Sequence, residues 1–166
     1  MQEIPKRKTI RLTGYDYSQS GAYFITICTI NRAHLLGRIV VADDSVLPPA
    51  LEESEVGQIV RSCWNNIENA YKYIKTDKFC IMPNHIHGII LIEDSGGQSR
   101  PPLQKIVQGF KSVTTRICFE QGYKRLWQRS YHDHIIRNDE DYREIWAYID
   151  TNPAKWVEDK YYTYFS

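Results

Sequence analysis

Two runs rich in β-branched and apolar residues, 73–82 and 85–93, are separated only by Pro83 and Asn84. A parallel crossover needs a connection of a dozen or more residues, so two strands this close must pair as an antiparallel hairpin. That one juxtaposition sets the class of fold. It predicts an antiparallel sheet with the chain's helical stretches laid against it, an α+β domain. No G-x-G-x-x-G or G-x-x-x-x-G-K-[ST] motif is present, which argues against dinucleotide and P-loop chemistry.

The remaining segments fit that frame. Residues 23–30 read as a strand rich in β-branched and aromatic side chains, and 36–41 as its hairpin partner. Leu51, Val56, Ile59, Val60, Cys63, Trp64 and Ile67 recur at helical spacing and predict a helix over 51–70. Leu103, Ile106, Val107, Phe110, Val113 and Ile117 predict a second helix, stopped by Gly122. A strand is expected within 127–137. A last helix is expected from a cap at Asn138 or Asp139 to Asn152, ended by Pro153. At 166 residues the chain is expected to form one domain over 21–160, preceded by a basic segment over 1–20. No apolar run approaches the ~20 residues of a membrane span, and the first residues lack an apolar signal core. The expectation is a cytoplasmic protein without membrane contact. Cys28, Cys63, Cys80 and Cys118 form no C-x-x-C, so reduced structural thiols are expected.

Net charge is only +1, but its distribution is uneven. Arg100, Lys105, Lys111, Arg116, Lys124, Arg125 and Arg129 lie in a stretch with one acidic residue, Glu120. Lys6, Arg7, Lys8 and Arg11 form a second basic group, beside Tyr15 and Tyr17. Segregated basic stretches can present a positive face to a polyanion even in a neutral chain. Trp127, Tyr123 and Tyr131 sit among the basic residues. On charge alone, ordinary solvated helix faces account for these stretches equally well.

The residues that carry chemistry stand in the hairpin and the last helix. His85 and His87 are separated by two on a strand, so both imidazoles project from one face, about 6–7 Å apart along it. Tyr148 and Asn152 are separated by four and share one helix face. If that helix crosses the strand, two imidazoles and an amide oxygen could hold a hard divalent cation such as Mg2+ or Mn2+, with a phenol one turn away. Tyr131 and Tyr142 are rival nucleophiles, but neither has a candidate ligand four residues on. His132 and His134 form a second His-x-His, on a strand with polar flanks.

Met82-Pro-Asn-His-Ile-His-Gly88 resembles the His-hydrophobic-His (HUH) motif of single-tyrosine transposases. The likeness extends through Gly14-Tyr-Asp-Tyr17, Tyr23-Phe-Ile-Thr-Ile27, the block from Leu126 to Asn138, and Tyr148-Ile-Asp-Thr-Asn-Pro153. Together these blocks resemble the REP-associated tyrosine transposases, over roughly residues 10 to 156. The resemblance implies a ferredoxin-like antiparallel sheet with packed helices. It implies metal ligation by His85, His87 and Asn152, where relatives often carry glutamine at the last position. It implies attack by Tyr148 on a DNA phosphodiester through a 5′-phosphotyrosine link, with a divalent cation and no nucleotide cofactor. The implied partner is single-stranded or hairpin DNA with repetitive palindromic sequence, contacted through Lys6, Arg7, Lys8, Arg11, Tyr15, Lys105, Lys111, Arg125, Trp127 and Arg129. Monomer and homodimer both stay open. A domesticated protein that binds such hairpins without cutting them is the alternative reading, and a metal-dependent hydrolase acting on a small substrate is a third.

Overall fold

The structure, a computed structural model, describes residues 12–41 and 47–158. Lys6, Arg7, Lys8 and Arg11 lie outside the described residues. Among the described residues six strands and four α-helices follow in chain order: β1 (Gly21–Cys28), β2 (Gly37–Val40), β3 (Ala50–Glu53), α1 (Glu55–Asn65), α2 (Ile67–Ala70), β4 (Ile74–Met82), β5 (His85–Ile92), α3 (Leu103–Glu120), β6 (His132–Ile136) and α4 (Asp139–Thr151). A 3-10 helix, Pro153–Glu158, follows α4.

The main sheet is antiparallel throughout, in the order β4-β5-β1-β6. The β4–β5 pair is the hairpin that its two-residue connection demands. With α1 and α3 as the crossovers, this is the ferredoxin-like arrangement. β5 lies inside the sheet and is covered on both sides, which explains its nearly unbroken apolar run.

Alternation along the strands divides the interior in two. Ile25, Ile27, Ile81, Ile86 and Ile90 meet Trp64, Val60, Ile106, Val107 and Phe110 from α1 and α3. On the other face Cys80, Met82 and Ile89 meet Ile149 of α4 and Trp156 of the terminal 3-10 helix. The first core is large and apolar; the second is small and adjoins the imidazoles. Tyr17 is buried in the first core, and its carbonyl accepts the Leu103 N–H at 3.1 Å. The chain just before β1 is therefore packed into the domain.

Two expectations are corrected. Residues 37–40 do not pair with β1; they pair with Ala50–Glu53 as a separate two-stranded sheet. The expected helix over 51–70 begins later and is broken. The Ser54 hydroxyl accepts the Gly57 N–H at 3.1 Å, capping a helix that starts at Glu55. Leu51 is drawn into the strand pairing instead. The helix is interrupted at Asn66, whose N–H turns back to Cys63 at 3.2 Å. Elsewhere the local signals hold. Gly122 has φ of 90°, and its N–H closes onto Phe119 at 3.0 Å to end α3. Asn138 Oδ1 accepts the Asp141 N–H at 2.9 Å to open α4.

The four cysteines are free thiols, and burial raises Cys63 and Cys118 above the usual thiol value. Among the described residues no helix is long and apolar enough to cross a membrane.

Candidate active site

His85 and His87 sit on β5 with 0% and 1% of their surface exposed. Strand alternation turns both toward α4, and their Nε2 atoms are 3.0 Å apart. Asn84 Oδ1 lies 2.7 Å from His85 Nδ1, and Thr26 Oγ1 lies 2.8 Å from His87 Nδ1. An amide oxygen only accepts, so this contact suits a His85 that carries its proton on Nδ1 and turns a lone pair of Nε2 inward.

Tyr148 comes from α4, packed over this face. Its Oη lies 3.4 Å from His87 Nε2, the atom that also faces His85. Its ring meets His87 edge-on at 5.2 Å and Phe24 at 6.1 Å. The residue stays 43% exposed, so a substrate can approach the hydroxyl. One helical turn on, Asn152 is buried to 3% and its Nδ2 has no hydrogen-bond partner. Trp156 roofs the site. It stacks on His85 at 6.1 Å and 25°, with the His34 ring edge-on to it at 5.6 Å.

These residues fit a divalent cation. Metal–nitrogen bonds of about 2.1 Å set at a right angle place two nitrogens about 3.0 Å apart. Among the described residues no third His, Cys, Asp or Glu joins the pair. Asn152, one helical turn beyond Tyr148 and 3% exposed, adds a buried amide whose oxygen is of the type a hard cation takes.

α4 buries only Ile149 fully, so polar contacts also hold it. The β4–β5 register is irregular between Thr76 and Phe79, and Asp77 and Lys78 lie in that break. Tyr142 donates to Asp77, and Lys78 pairs with Asp150. The Lys78 ammonium also sits 3.9 Å over the Trp146 ring. Tyr142, Trp146 and Asp150, at i, i+4 and i+8, thereby form the edge of α4 that grips β4.

The rival tyrosines are otherwise engaged. Burial and the Asp77 carboxylate push the Tyr142 phenol up to about 12. Tyr131 is buried in the core on the opposite face of the sheet. His134 Nε2 bonds Asp141 at 2.9 Å, and this bond, more than the Arg137 N–H, holds the Asp141 carboxyl below its usual range.

The expected DNA-contact residues divide between surface and interior. Lys111, Arg125 and Arg129 line a cleft of about 810 Å3 between α3 and residues 125–131, with Arg116, Gln104 and Gln108. Lys111 Nζ is tied to the carbonyls of Gln128 and Arg129 at 2.6 and 2.9 Å. Trp127 also lines this cleft but is largely buried, its ring packed into the core and its indole N–H donating to Thr114 Oγ1 at 2.8 Å. Tyr15 is half-buried against Tyr17 and Tyr23. Lys105 is exposed beside Arg100 and Lys72, away from the cleft. Sequence reading did not anticipate the parts of Thr26, Asn84, Asp77, Lys78 and Trp156. Only Asn84 carried a signal, as the residue preceding His85.

An antiparallel sheet that presents paired imidazoles to a tyrosine-bearing helix is the architecture of a single-tyrosine transposase. The chain belongs to the family described as "Transposase IS200 like", whose model matches residues 48–152. It is 36% identical to an uncharacterized protein of Haemophilus influenzae, over 96% of this chain and 94% of that one. It is 28% identical to the REP-associated tyrosine transposase of Escherichia coli, over 61% of this chain and 62% of that protein. Its fold superposes on a solved REP-associated tyrosine transposase bound to a REP hairpin, with a TM-score of 0.63 at 22% identity. That match covers 96% of this chain and 77% of the other.

Proposed function

We propose that the protein is a metal-dependent DNA strand transferase that cuts and rejoins single-stranded DNA beside a hairpin. The observation that carries the reading is the convergence of three atoms: Tyr148 Oη lies 3.4 Å from His87 Nε2, which lies 3.0 Å from His85 Nε2. Tyr148 Oη attacks the phosphorus of a DNA phosphodiester. The bond to the 3′-oxygen breaks, that oxygen takes up a proton, and a 5′-phosphotyrosine link remains. Attack by a 3′-hydroxyl reverses the step and restores the phenol, so no nucleotide cofactor is consumed. His85, His87 and Asn152 would hold Mg2+ or Mn2+, which supplies Lewis-acid polarisation of the phosphate. An ordinary phenol has a pKa near ~10, so this activation matters at neutral pH. Phe24 and His87 fix the tyrosine ring, and Trp156 shields His85 from water.

Tyr148 meets a histidine of its own chain, so one chain can bring the phenol and both imidazoles together. The cleft between α3 and residues 125–131 supports a DNA-contact role for Arg125 and Arg129, with Arg116 beside them. Among the described residues no acidic side chain lines it. Its floor lies close to the site: Cys28 pairs in register with His85, and its carbonyl accepts the Gln128 N–H at 2.9 Å.

The test is a denaturing gel of protein incubated with single-stranded hairpin DNA and Mn2+ or Mg2+. A covalent adduct is expected, lost with chelator and lost in Tyr148→Phe. An adduct that survives Tyr148→Phe refutes the nucleophile. Salt-sensitive hairpin binding without cleavage in either metal overturns the enzymatic reading in favour of a binding protein.

A further inference from the structure

We propose that Asn84 and Thr26 are positioning residues that set which nitrogen of His85 and of His87 carries the proton, so that both Nε2 lone pairs can face one point. The inference rests on the proposed metal site. A histidine that binds a cation through Nε2 must hold its proton on Nδ1, and the partner of Nδ1 decides this. The two partners differ in kind. Asn84 Oδ1, 2.7 Å from His85 Nδ1, can only accept, so His85 has one available tautomer. Thr26 Oγ1, 2.8 Å from His87 Nδ1, can accept or donate, so His87 has two.

That asymmetry suits a site with two states. Two lone pairs 3.0 Å apart repel unless a cation lies between them. In the metal-free protein the Thr26 hydroxyl donates to His87 Nδ1, and His87 Nε2–H donates to His85 Nε2. On metal binding the hydroxyl reverses and accepts from Nδ1–H, which frees the second lone pair. The exchange moves protons between nitrogens and leaves the net charge of the pair unchanged.

Both partners are held rigidly. Asn84 is fully buried, and its carbonyl accepts the Thr29 N–H at 2.9 Å with the Thr29 hydroxyl 3.0 Å away. The adjoining Pro83 carbonyl accepts the Leu36 N–H at 3.0 Å. The turn that carries Asn84 is thus fastened to the segment that follows β1. Thr26 stands opposite His87 in the β1–β5 register, and its side chain is 5% exposed. Each acts through the histidine whose Nδ1 it faces.

The experiment measures Mn2+ binding by titration calorimetry, alongside long-range 15N–1H spectra of the imidazoles. The variants are Asn84→Leu, Asn84→Asp, Thr26→Val and Thr26→Ser. Asn84→Leu and Thr26→Val keep shape but lose the polar partner, and should weaken Mn2+ binding by about 10–100-fold. Asn84→Asp and Thr26→Ser keep an acceptor and should retain most of it. The spectra should place the His85 proton on Nδ1 in the wild type and show a mixture in Asn84→Leu. Should Asn84→Leu fail to fold, the Thr26 pair and the wild-type spectrum still decide. Unchanged Mn2+ affinity in both shape-matched variants, or a wild-type His85 protonated on Nε2, overturns the inference. A wild type with its His85 proton on Nδ1 but no Mn2+ affinity sinks the metal site and leaves this proton placement standing.

Discussion

Gly88 follows the two imidazoles on β5 and faces the opposite side of the sheet, where the Trp64 indole lies against it. A Cβ at this position would stand 2.3 Å from Cη2 and 2.5 Å from Cζ2 of that ring. Ordinary contact begins at 3.4 Å, so Gly88→Ala requires a displacement of roughly 1 Å. The ring has nowhere to retreat. It is 2% exposed, stacks on Phe79 at 4.4 Å and 9°, and meets Phe110 edge-on at 5.8 Å. Overpacking of this kind costs about 1–3 kcal/mol, which for a chain of this size lowers Tm by about 2–12 °C. Thermal unfolding followed by circular dichroism measures it. Trp64→Phe removes the ring carbons that clash, so Gly88→Ala should cost clearly less in that background. An equal cost in both backgrounds, or none in the wild type, refutes the close-contact argument. If β5 moves instead of the ring, Mn2+ affinity should fall along with Tm, because the strand carries both imidazoles.

Two further outcomes follow from α4. Lys78→Ala removes a partly exposed ion pair with Asp150 and a cation–π contact with Trp146, together about 1 kcal/mol. Adduct formation should slow severalfold while hairpin binding holds, and Lys78→Arg should restore most of the rate; an unchanged rate would show that apolar packing alone seats the helix. Tyr142 and Tyr23 both have phenols raised above 10.0, chiefly by burial. A raised acid stabilises the fold while protonated, so stability is full below pH 10 and should fall as pH climbs toward 12. Tyr142→Phe should flatten that alkaline loss in a pH series of Tm, and an unaltered slope would contradict the burial assigned to this phenol.

Local rules account for much of what the chain displays before folding is considered. A two-residue link forces the β4–β5 hairpin, and alternation puts His85 and His87 on one face. A side-chain cap at Asn138 starts α4, and helical spacing aligns Tyr148 with Asn152. Each depends on residues a few positions apart. The misread segments depend on partners far away in sequence. Leu51 has helical spacing to Val56, yet pairing with Gly37–Val40 draws it into a strand. The burial of Trp127, likewise, is set by Thr114 and Phe110 of α3 and not by its basic neighbours in the sequence.

Periodicity and turn length were therefore enough to say which side chains share a face, and that paired imidazoles and a phenol–amide pair exist. Which faces meet was decided only in three dimensions. The strand order seats β5 inside the sheet, α4 crosses on the imidazole side, Asp77 and Lys78 grip it there, and Trp156 closes the roof. The physical reason is that intrastrand and intrahelical geometry is fixed by backbone stereochemistry alone. The meeting of elements is set by burial and pairing summed over residues far apart in the chain, such as Thr26 with His87, His87 with Tyr148 and Lys78 with Asp150.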